Sequence, residues 1–486
     1  MISLWRRLLN LTIAVALASW PLAAHGYPLL APRPVPDAIA GPTDPDVAAV
    51  FYNPAALGPL RGLHLRLDGG ARLYEGSIDR NAGGAGSSTP INWADPISFA
   101  GVSWDLDTDS FTVGLAVYTP FSDLTSYGDA PVRYHAIGTT SMVFEQAAAA
   151  AFRVSGRFYV GASANFAEEW LDYTYARDAA IYGGSAGVAQ PGGLCGAQPC
   201  GYENPLAAQT LRLRGFGWGV GFSVGVLARP IDRLWLGLSY TSHIFNPGQG
   251  GDFPLGDTLR PRVKPAPGEG AVCPDLSPSS SNTCRAGDRV TTYIPDILQL
   301  GVRIEVDPKV DIEGQARWVH YGERPNLDVA LQGGDLANLA HSTATAIPPE
   351  LLLDRGLTDA WGFEVSGRWK LGRSLRLSPS LFFETSAVES GAVNAASIDA
   401  PKLDLTLTAE WHPVKHLMLG AHVGATGYIL GEAGQSFDPK AEVACVDAGY
   451  ALSACGAANR GDGLPSAAGR YTLFVVHVGG AIGVDY

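Results

Sequence analysis

The chain is poor in charged residues and, beyond its first residues, poor in long apolar runs. Asp, Glu, Lys and Arg make up 17% of the 486 residues, below the roughly 25% of average soluble domains. Acidic residues outnumber basic ones by 47 to 34 without any Lys/Arg cluster, so we expect no nucleic-acid partner. After Gly26 no apolar run approaches the roughly 18 residues of a transmembrane helix. Disorder is excluded as well, because 46% of the residues are hydrophobic.

The start of the chain has the features of an export signal. Arg6 and Arg7 precede an apolar stretch, residues 8–20, that is too short to span a membrane as a helix. Small residues then predict cleavage after Gly26. No cysteine occurs before Cys195, so we expect no lipid anchor.

Apolar and polar residues alternate along many segments, as they do in β-strands with one polar and one apolar face. Within residues 402–412, one face carries Leu403, Leu405, Leu407, Ala409 and Trp411. The same alternation occurs at 298–306, 310–318, 361–371 and 375–384. A membrane β-barrel has this pattern because lipid lies on one side and a polar lumen on the other. A soluble β-sandwich also alternates, but tryptophans near segment ends favour the aromatic girdle of a barrel: Trp170, Trp235, Trp318, Trp361, Trp369 and Trp411.

The spacing of breaks between these segments predicts the topology. Short breaks rich in Pro, Gly and Asp are typical of tight turns and occur at 105–109, 155–157, 229–233, 307–309, 371–374 and 412–415. Long breaks lie at 77–95, 120–137, 176–210, 248–292, 322–358, 387–400 and 432–469. Six turns and seven loops join 14 strands. We therefore predict an all-β fold, a 14-stranded antiparallel transmembrane β-barrel with short periplasmic turns and long outer loops.

The cysteines fall only in the predicted long loops. Their clustering, together with passage through an oxidising compartment, favours three local disulfides: Cys195–Cys200, Cys273–Cys284 and Cys445–Cys455. The spacings are not those of a metal site and no histidine clusters with them, so we expect no metal and no other cofactor.

Two further patterns concern the barrel wall. The last segment alternates up to a terminal aromatic residue, Tyr486, and resembles the C-terminal signal recognised by the outer-membrane assembly machinery. In the sixth strand, small residues share one face, and we interpret that face as lumenal, making room for an inserted segment or a ligand. The row contains Gly215, Gly217, Gly219 and Gly221, followed by Ser223 and Gly225.

Residues 27–60 do not alternate and are rich in proline, which a central strand does not tolerate. They end in a segment containing Asn53, Pro54 and Ala55 just before the first strand. This order resembles the FadL/TodX family of outer-membrane transporters, over the whole mature chain. The resemblance implies an N-terminal hatch whose Asn-Pro-Ala motif plugs the lumen and moves to gate it. The expected domains are a signal peptide at 1–26, the hatch at 27–60 and the barrel at 61–486.

The resemblance implies passive transport of hydrophobic small molecules, such as long-chain fatty acids or aromatic hydrocarbons, across the bacterial outer membrane. We expect a monomer in contact with outer-membrane lipid and lipopolysaccharide, and no enzymatic activity. No ligand-binding residue is carried over from the family. A general porin, an outer-membrane hydrolase and a secretion-associated scaffold remain alternatives. A porin would conduct ions with its hatch in place, a hydrolase would need a nucleophile, and a scaffold would co-purify with partners.

Overall fold

A computed structural model describes residues 33, 40–81, 88–128, 130–178, 203, 208–247, 253–259, 262–263, 284–285, 287–324, 326–332, 350–434 and 465–486. The predicted export signal, residues 1–26, lies outside this set. Within the described ranges, no helix has the length and apolar character needed to cross a membrane.

Fourteen long strands in the described part of the chain form one antiparallel wall. They are β1 Leu63–Arg80, β2 Thr89–Trp104, β3 Phe111–Ser126, β4 Gly138–Ser155, β5 Phe158–Asp178, β6 Ala208–Ile231, β7 Leu234–Thr241, β12 Ile297–Asp307, β13 Val310–Val319, β16 Ala360–Leu371, β17 Leu375–Glu384, β18 Lys402–Val414, β19 Leu417–Tyr428 and β21 Gly469–Asp485. The shorter strands are β8 Phe253–Leu259, β9 Arg262–Val263, β10 Cys284–Arg285, β11 Gly287–Thr292, β14 Asn326–Gln332, β15 Glu350–Asp354 and β20 Glu432–Ala433. The described helices are α1 Ala49–Tyr52 and the 3₁₀ turns Pro54–Leu57, Pro131–Tyr134 and Tyr321–Glu323.

The wall closes between its first and last strands. β1 pairs with β21 from His64 opposite Asp485 to Arg80 opposite Gly469. At the periplasmic end the backbones of Leu63 and Tyr486 exchange hydrogen bonds of 3.0 and 2.8 Å. Closure pairs the first and last strands of the sheet with each other, as a barrel that crosses a membrane requires. The predicted 14-stranded antiparallel barrel is confirmed.

Each of the six predicted tight turns joins two neighbouring wall strands. In the turn between β16 and β17, Gly372 has a φ of 82°, a conformation that favours glycine. The predicted outer loops differ more from their expected boundaries. The first loop, expected at 77–95, is reduced to residues 81–88 because β1 and β2 continue pairing beyond the expected strand ends.

The fourth and fifth predicted loops, 248–292 and 322–358, contain regular structure of their own. From them β8, β11, β14 and β15 form a second, four-stranded antiparallel sheet. Such pairing satisfies backbone groups that a bare loop would leave to water. Loop composition does not reveal it, because it depends on two segments meeting that are far apart in the chain.

The two faces of the wall differ as the alternation predicts. Large apolar side chains are exposed on the outer face, for example Leu405 at 59% and Val365 at 59%, where lipid covers them. The prediction that Trp235 belongs to the outer aromatic girdle is wrong. This residue is 7% exposed and lies inside the barrel. Its indole nitrogen donates to Glu305 Oε1 at 2.6 Å. The residues of β7 that face the lipid are instead Leu234, Leu236 and Leu238.

Candidate functional site

The N-terminal segment, defined here as residues 40–60, folds into short helical turns. Helix α1 ends at Tyr52, and the extended backbone of Asn53 separates it from the following 3₁₀ turn. Proline at the first position of that turn suits a helix start, where a backbone N–H has no partner to lose. The Asn53 side chain caps the turn by accepting a hydrogen bond of 3.1 Å from the Ala55 backbone N–H. Local sequence therefore explains the sharp bend at Asn-Pro-Ala.

Asn53 also ties the segment to the barrel. Its side chain is 0% exposed. The amide nitrogen donates to the carbonyl of Pro42 at 2.7 Å and to the carbonyl of Val226, in wall strand β6, at 3.0 Å. With the Ala55 contact, one carboxamide connects two parts of the segment and the wall.

Glycines of the wall make room for this segment. Among the described residues, six inward-facing glycines on β2, β3, β5, β6, β7 and β12 lie so close to residues 42–57 that an added Cβ would clash. They are Gly101, Gly114, Gly161, Gly225, Gly237 and Gly301. At Gly225 that Cβ would be 2.0 Å from Asn53 Oδ1, and at Gly161 it would be 2.4 Å from the backbone nitrogen of Ala55. The segment therefore packs directly on wall backbone, mostly in the periplasmic half of the barrel.

Polar contacts hold the segment from other strands. Asp44 Oδ1 accepts from Arg303 at 3.1 Å and from Arg368 at 2.7 Å. Burial alone would raise the pKa of the Asp44 carboxyl, but the guanidinium groups of Arg368 and Arg303 hold it below its usual range. Ser239 and Gln299 donate to the backbone carbonyl of Tyr52 at 2.6 and 3.1 Å. The segment is anchored to β6, β7, β12 and β16.

The wall ladder is interrupted between β2 and β3. These two fully described strands pair only over Phe99–Trp104 and Val113–Tyr118. In their outer halves side chains make hydrogen bonds across the seam: Ser98 with Thr119 at 3.1 Å, and Ser122 with the carbonyl of Pro96 at 3.3 Å. The interruption lies on the outer side of the N-terminal segment.

The outer half of β3 is buried on both of its faces. Every residue from Tyr118 to Thr125 is buried, whereas a wall strand normally alternates between buried and lipid-exposed positions. The register of β3 against β4 shifts between Tyr118 and Phe121, with Pro120 between them. Proline cannot donate to a ladder and belongs at bulges or edges. This half-strand therefore borders the seam beside β2 without facing lipid.

A small inner cavity reaches the buried outer half of β3. Its volume is about 60 Å³. Phe121 of β3 and Leu171 of β5 line it together with Ile294, Leu327 and Leu357. Glu169, Arg324 and Arg355 also line it, so the cavity offers an apolar surface beside charged groups. Among the described residues no group of His, Cys, Asp or Glu has the arrangement of a metal site.

A family model described as outer membrane protein transport protein (OMPP1/FadL/TodX) matches residues 37–412. The chain belongs to this family. It is an outer-membrane transporter of hydrophobic compounds. No curated protein sequence matches the chain.

Solved structures share the transporter's fold. A FadL homologue of Pseudomonas aeruginosa superposes with a TM-score of 0.69 at 15% identity, covering 95% of this chain and 100% of that one. The Ralstonia pickettii toluene transporter TbuX gives 0.58 at 14% identity, over 94% and 98% of the two chains. The Pseudomonas putida toluene transporter TodX gives 0.61 at 12% identity, over 96% and 100%. At such identities the likeness concerns the fold.

The residues predicted to be functional are only partly brought together in the transporter. Asn53, Pro54 and Ala55 lie buried in the N-terminal segment. The small-residue row of β6 faces inward, but its members meet different neighbours. Gly221 lies against Ile244 and Ser242, and Gly225 lies against Asn53. Glycines 215, 217 and 219 share the inward register at the outer side of these contacts.

Other predicted residues lie away from the segment or outside the described part. Tyr486 is 72% exposed and its ring stacks on His416 at 5.7 Å. The cysteine side chains lie outside the described residues, so the three disulfides stay a prediction.

Sequence reasoning missed the seam and the ring of wall glycines. Pro96 and Pro120 were the available signal, because proline inside a strand indicates an edge or a bulge. The glycines of β2, β3, β5, β7 and β12 are isolated in the sequence. They form a set only once the strands stand side by side.

Proposed function

We propose that this transporter moves hydrophobic small molecules passively across the outer membrane, with the N-terminal segment as a hatch that closes the axial path. The observation that carries the proposal is the packing of residues 42–57 on six inward-facing wall glycines of the described chain. A barrel of this size is too wide for its own side chains to fill, so an inserted segment is needed to prevent leakage.

The ligands proposed are monoaromatic hydrocarbons or long-chain fatty acids. Structures with the same fold include toluene transporters and a monoaromatic hydrocarbon channel. The apolar side chains of Phe121, Leu171 and Leu357 in the inner cavity support a hydrophobic ligand.

We further propose that ligands leave sideways, through the seam between β2 and β3. Opening a wall elsewhere would break backbone hydrogen bonds in contact with lipid, at a cost of several kcal/mol for each unsatisfied group. In the outer half of this seam the contacts are side-chain hydrogen bonds such as Ser98 with Thr119, which separate more easily. The exit leads a hydrophobic ligand directly into the bilayer, where it is more stable than in water.

A disulfide across the seam tests this route. In a Ser98→Cys/Thr119→Cys variant the two sulfurs would replace oxygens that lie 3.1 Å apart, which suits a disulfide. The matched control is Ser77→Cys/Thr472→Cys, which replaces a side-chain pair 3.0 Å apart in the continuous ladder of β1 and β21. We expect the seam disulfide to abolish uptake of radiolabelled toluene by cells and a reductant to restore it, while the control transports normally.

The alternatives give different results. Full uptake with the seam disulfide shown to be formed by peptide mapping would rule out sideways exit. Steady ion conductance of the unmodified barrel in planar bilayers would favour a general porin. Equal sensitivity of the parent chain to the reductant would mean that the predicted native disulfides, and not the seam, control uptake.

A further inference from the structure

A second cavity, here called the rim pocket, opens at the outer end of the wall and on its lipid side. Its volume is about 370 Å³. Tyr240 lines it from β7 and shares a face with Leu236 and Leu238, which are 38% and 43% exposed. Trp318 lines it from β13, on the same face as Ile312, which is 44% exposed. The pocket therefore faces the outer leaflet at the level of the aromatic girdle.

A buried carboxylate organises the polar side of the rim pocket. Tyr240 donates its hydroxyl to Asp296 Oδ1 at 2.5 Å, and Tyr293 donates its hydroxyl to Asp296 Oδ2 at 2.7 Å. The backbone N–H of His243 adds a third hydrogen bond at 2.9 Å. Burial alone would raise the pKa of Asp296, but the hydroxyls of Tyr240 and Tyr293 hold it below its usual range. The carboxylate therefore stays ionised at neutral pH.

Aromatic rings form the other side of the rim pocket. Trp318 stacks on His320 with ring centroids 4.9 Å apart and an interplanar angle of 25°. The indole nitrogen of Trp318 donates to Asp359 at 2.9 Å, outside the pocket lining. Its hydrogen-bond donor is thus already used, and the pocket meets the ring rather than the N–H. Glu323 and Arg324 also line the pocket and contribute opposite charges.

These hydrogen bonds decide which ligands the rim pocket favours. Since both tyrosine protons point to Asp296, the two hydroxyl oxygens present lone pairs to a ligand. Around Asp296 the pocket is therefore rich in acceptors and contains a negative charge. The ring nitrogens of His243 and His320 lie 3.3 and 3.7 Å from Asp296 Oδ2. A ligand carboxylate would meet Asp296 as a like charge, whereas a ligand hydroxyl could donate to a tyrosine oxygen or to the carboxylate.

We propose that the rim pocket captures small aromatic compounds that carry a hydroxyl group, of the phenol class, from the outer leaflet. The inference rests on the proposed transport of hydrophobic compounds and narrows the ligand at its entrance. The flat ring packs on Trp318, and the ligand hydroxyl donates to the acceptors around Asp296.

The position of the pocket supports a role in entry. Thr292, Tyr293 and Arg324 line both the rim pocket and the inner cavity that reaches Phe121. The partition between the two is the short stretch just before β12, tied across by a backbone hydrogen bond from Ile244 to the Ile294 carbonyl at 3.2 Å. A ligand in the rim pocket thus contacts residues that also line the cavity leading towards the seam.

Binding of fluorinated probes to the purified, folded barrel in detergent tests the proposal by ¹⁹F NMR, with empty micelles as background. The probes are 4-fluorophenol, 4-fluorotoluene and 4-fluorobenzoate. We expect the parent to bind 4-fluorophenol more tightly than 4-fluorobenzoate. Asp296→Asn should shift this ratio towards 4-fluorobenzoate by about tenfold or more, the size expected for a hydrogen bond to a charged group. Asp232→Asn, at an exposed carboxylate in a periplasmic turn, is the matched control.

Trp318→Leu provides a second test that does not touch the carboxylate. It should weaken 4-fluorophenol binding by about tenfold, because the stacking surface is lost. If Asp296→Asn is not recovered as heat-modifiable barrel, 4-fluorophenol binding by Trp318→Leu alone tests the rim-pocket proposal. Unchanged 4-fluorophenol binding in the folded variants would overturn the rim-pocket assignment. If cells that express the parent chain do not take up 4-fluorotoluene, the transport proposal itself is refuted. The two failures are therefore distinguishable.

Discussion

Gly225→Ala should unseat the N-terminal segment while leaving the barrel folded. The added methyl group would lie 2.0 Å from Asn53 Oδ1, whereas ordinary contact begins at 3.4 Å. The Asn53 carboxamide must therefore retreat. That movement weakens its bonds to Pro42, Val226 and Ala55, which measure 2.7, 3.0 and 3.1 Å.

The size of the effect follows from overpacking. Inserting one extra carbon at a close-packed site costs about 1–3 kcal/mol. A free energy of that size changes the ratio of two conformations by roughly 5–150-fold. Because β6 is paired at Gly225 with both of its neighbours, β5 and β7, we expect the N-terminal segment to move rather than the wall. The ratio that changes is then that of barrels with a seated segment to barrels with an unseated segment. The ratio of folded to unfolded barrel stays the same.

Planar-bilayer conductance measures the unseated population, and heat-modified gel mobility measures the folded barrel. Gly225→Ala should raise conductance and leave gel mobility unchanged. Gly69→Ala is the control, because an added Cβ there has no atom within 4 Å. Asn53→Ala should also raise conductance, since three hydrogen bonds are lost.

The double variant distinguishes this reasoning from a general loss of stability. Once Asn53→Ala removes the carboxamide, the methyl group of Gly225→Ala has space. The double variant should therefore conduct like Asn53→Ala alone. Strictly additive effects would show that the two residues do not interact, and an unchanged conductance of folded Gly225→Ala would refute the proposed closure.

Further predictions concern the segment, assembly and the loops. Deleting residues 27–55 should open an ion-conducting pore in a barrel that still folds; a folded but non-conducting product would contradict the plug. Asp44 has a pKa below its usual 3.8, so its ion pairs are complete above that pH and are lost only as the pH falls below it. Parent conductance should accordingly rise only in strong acid, and Asp44→Asn should remove that step and conduct at every pH. Deleting Tyr486 should reduce heat-modifiable barrel in the outer membrane without blocking export, and wild-type amounts would exclude a role in assembly. Non-reducing peptide mapping should find three local disulfides, and free thiols would contradict them: Cys195–Cys200, Cys273–Cys284 and Cys445–Cys455.

The wall of the barrel was largely predictable because its cause is local and periodic. Residues 402–412 alternate in sequence, and β18 alternates in burial at the same positions. Lipid on one side and a polar interior on the other impose that period on each strand separately. Tight turns were predictable for a similar reason, since positions such as Gly372 require a backbone that few residues adopt.

Errors arose where neighbours in space outweigh neighbours in sequence. Trp235 fits an aromatic girdle by composition, yet the register of β7 places it inside, with the guanidinium groups of Arg229 and Arg303 at 4.9 and 5.1 Å from its ring. A shift of one residue reverses the two faces of a strand, and the register of β7 is set by its pairing with β6 and β12.

The sequence alone determined that an Asn-Pro-Ala segment precedes a membrane barrel. Only the tertiary structure decided what that segment touches. Gly101, Gly161 and Gly301 are single glycines on separate strands, and Asp296 receives its hydroxyl donors from Tyr240, 56 residues away, and from Tyr293. Such sites depend together on the order of the strands, on their stagger and on which side chains point inward. No short stretch of sequence encodes them, because closing the barrel is what brings their members within contact distance.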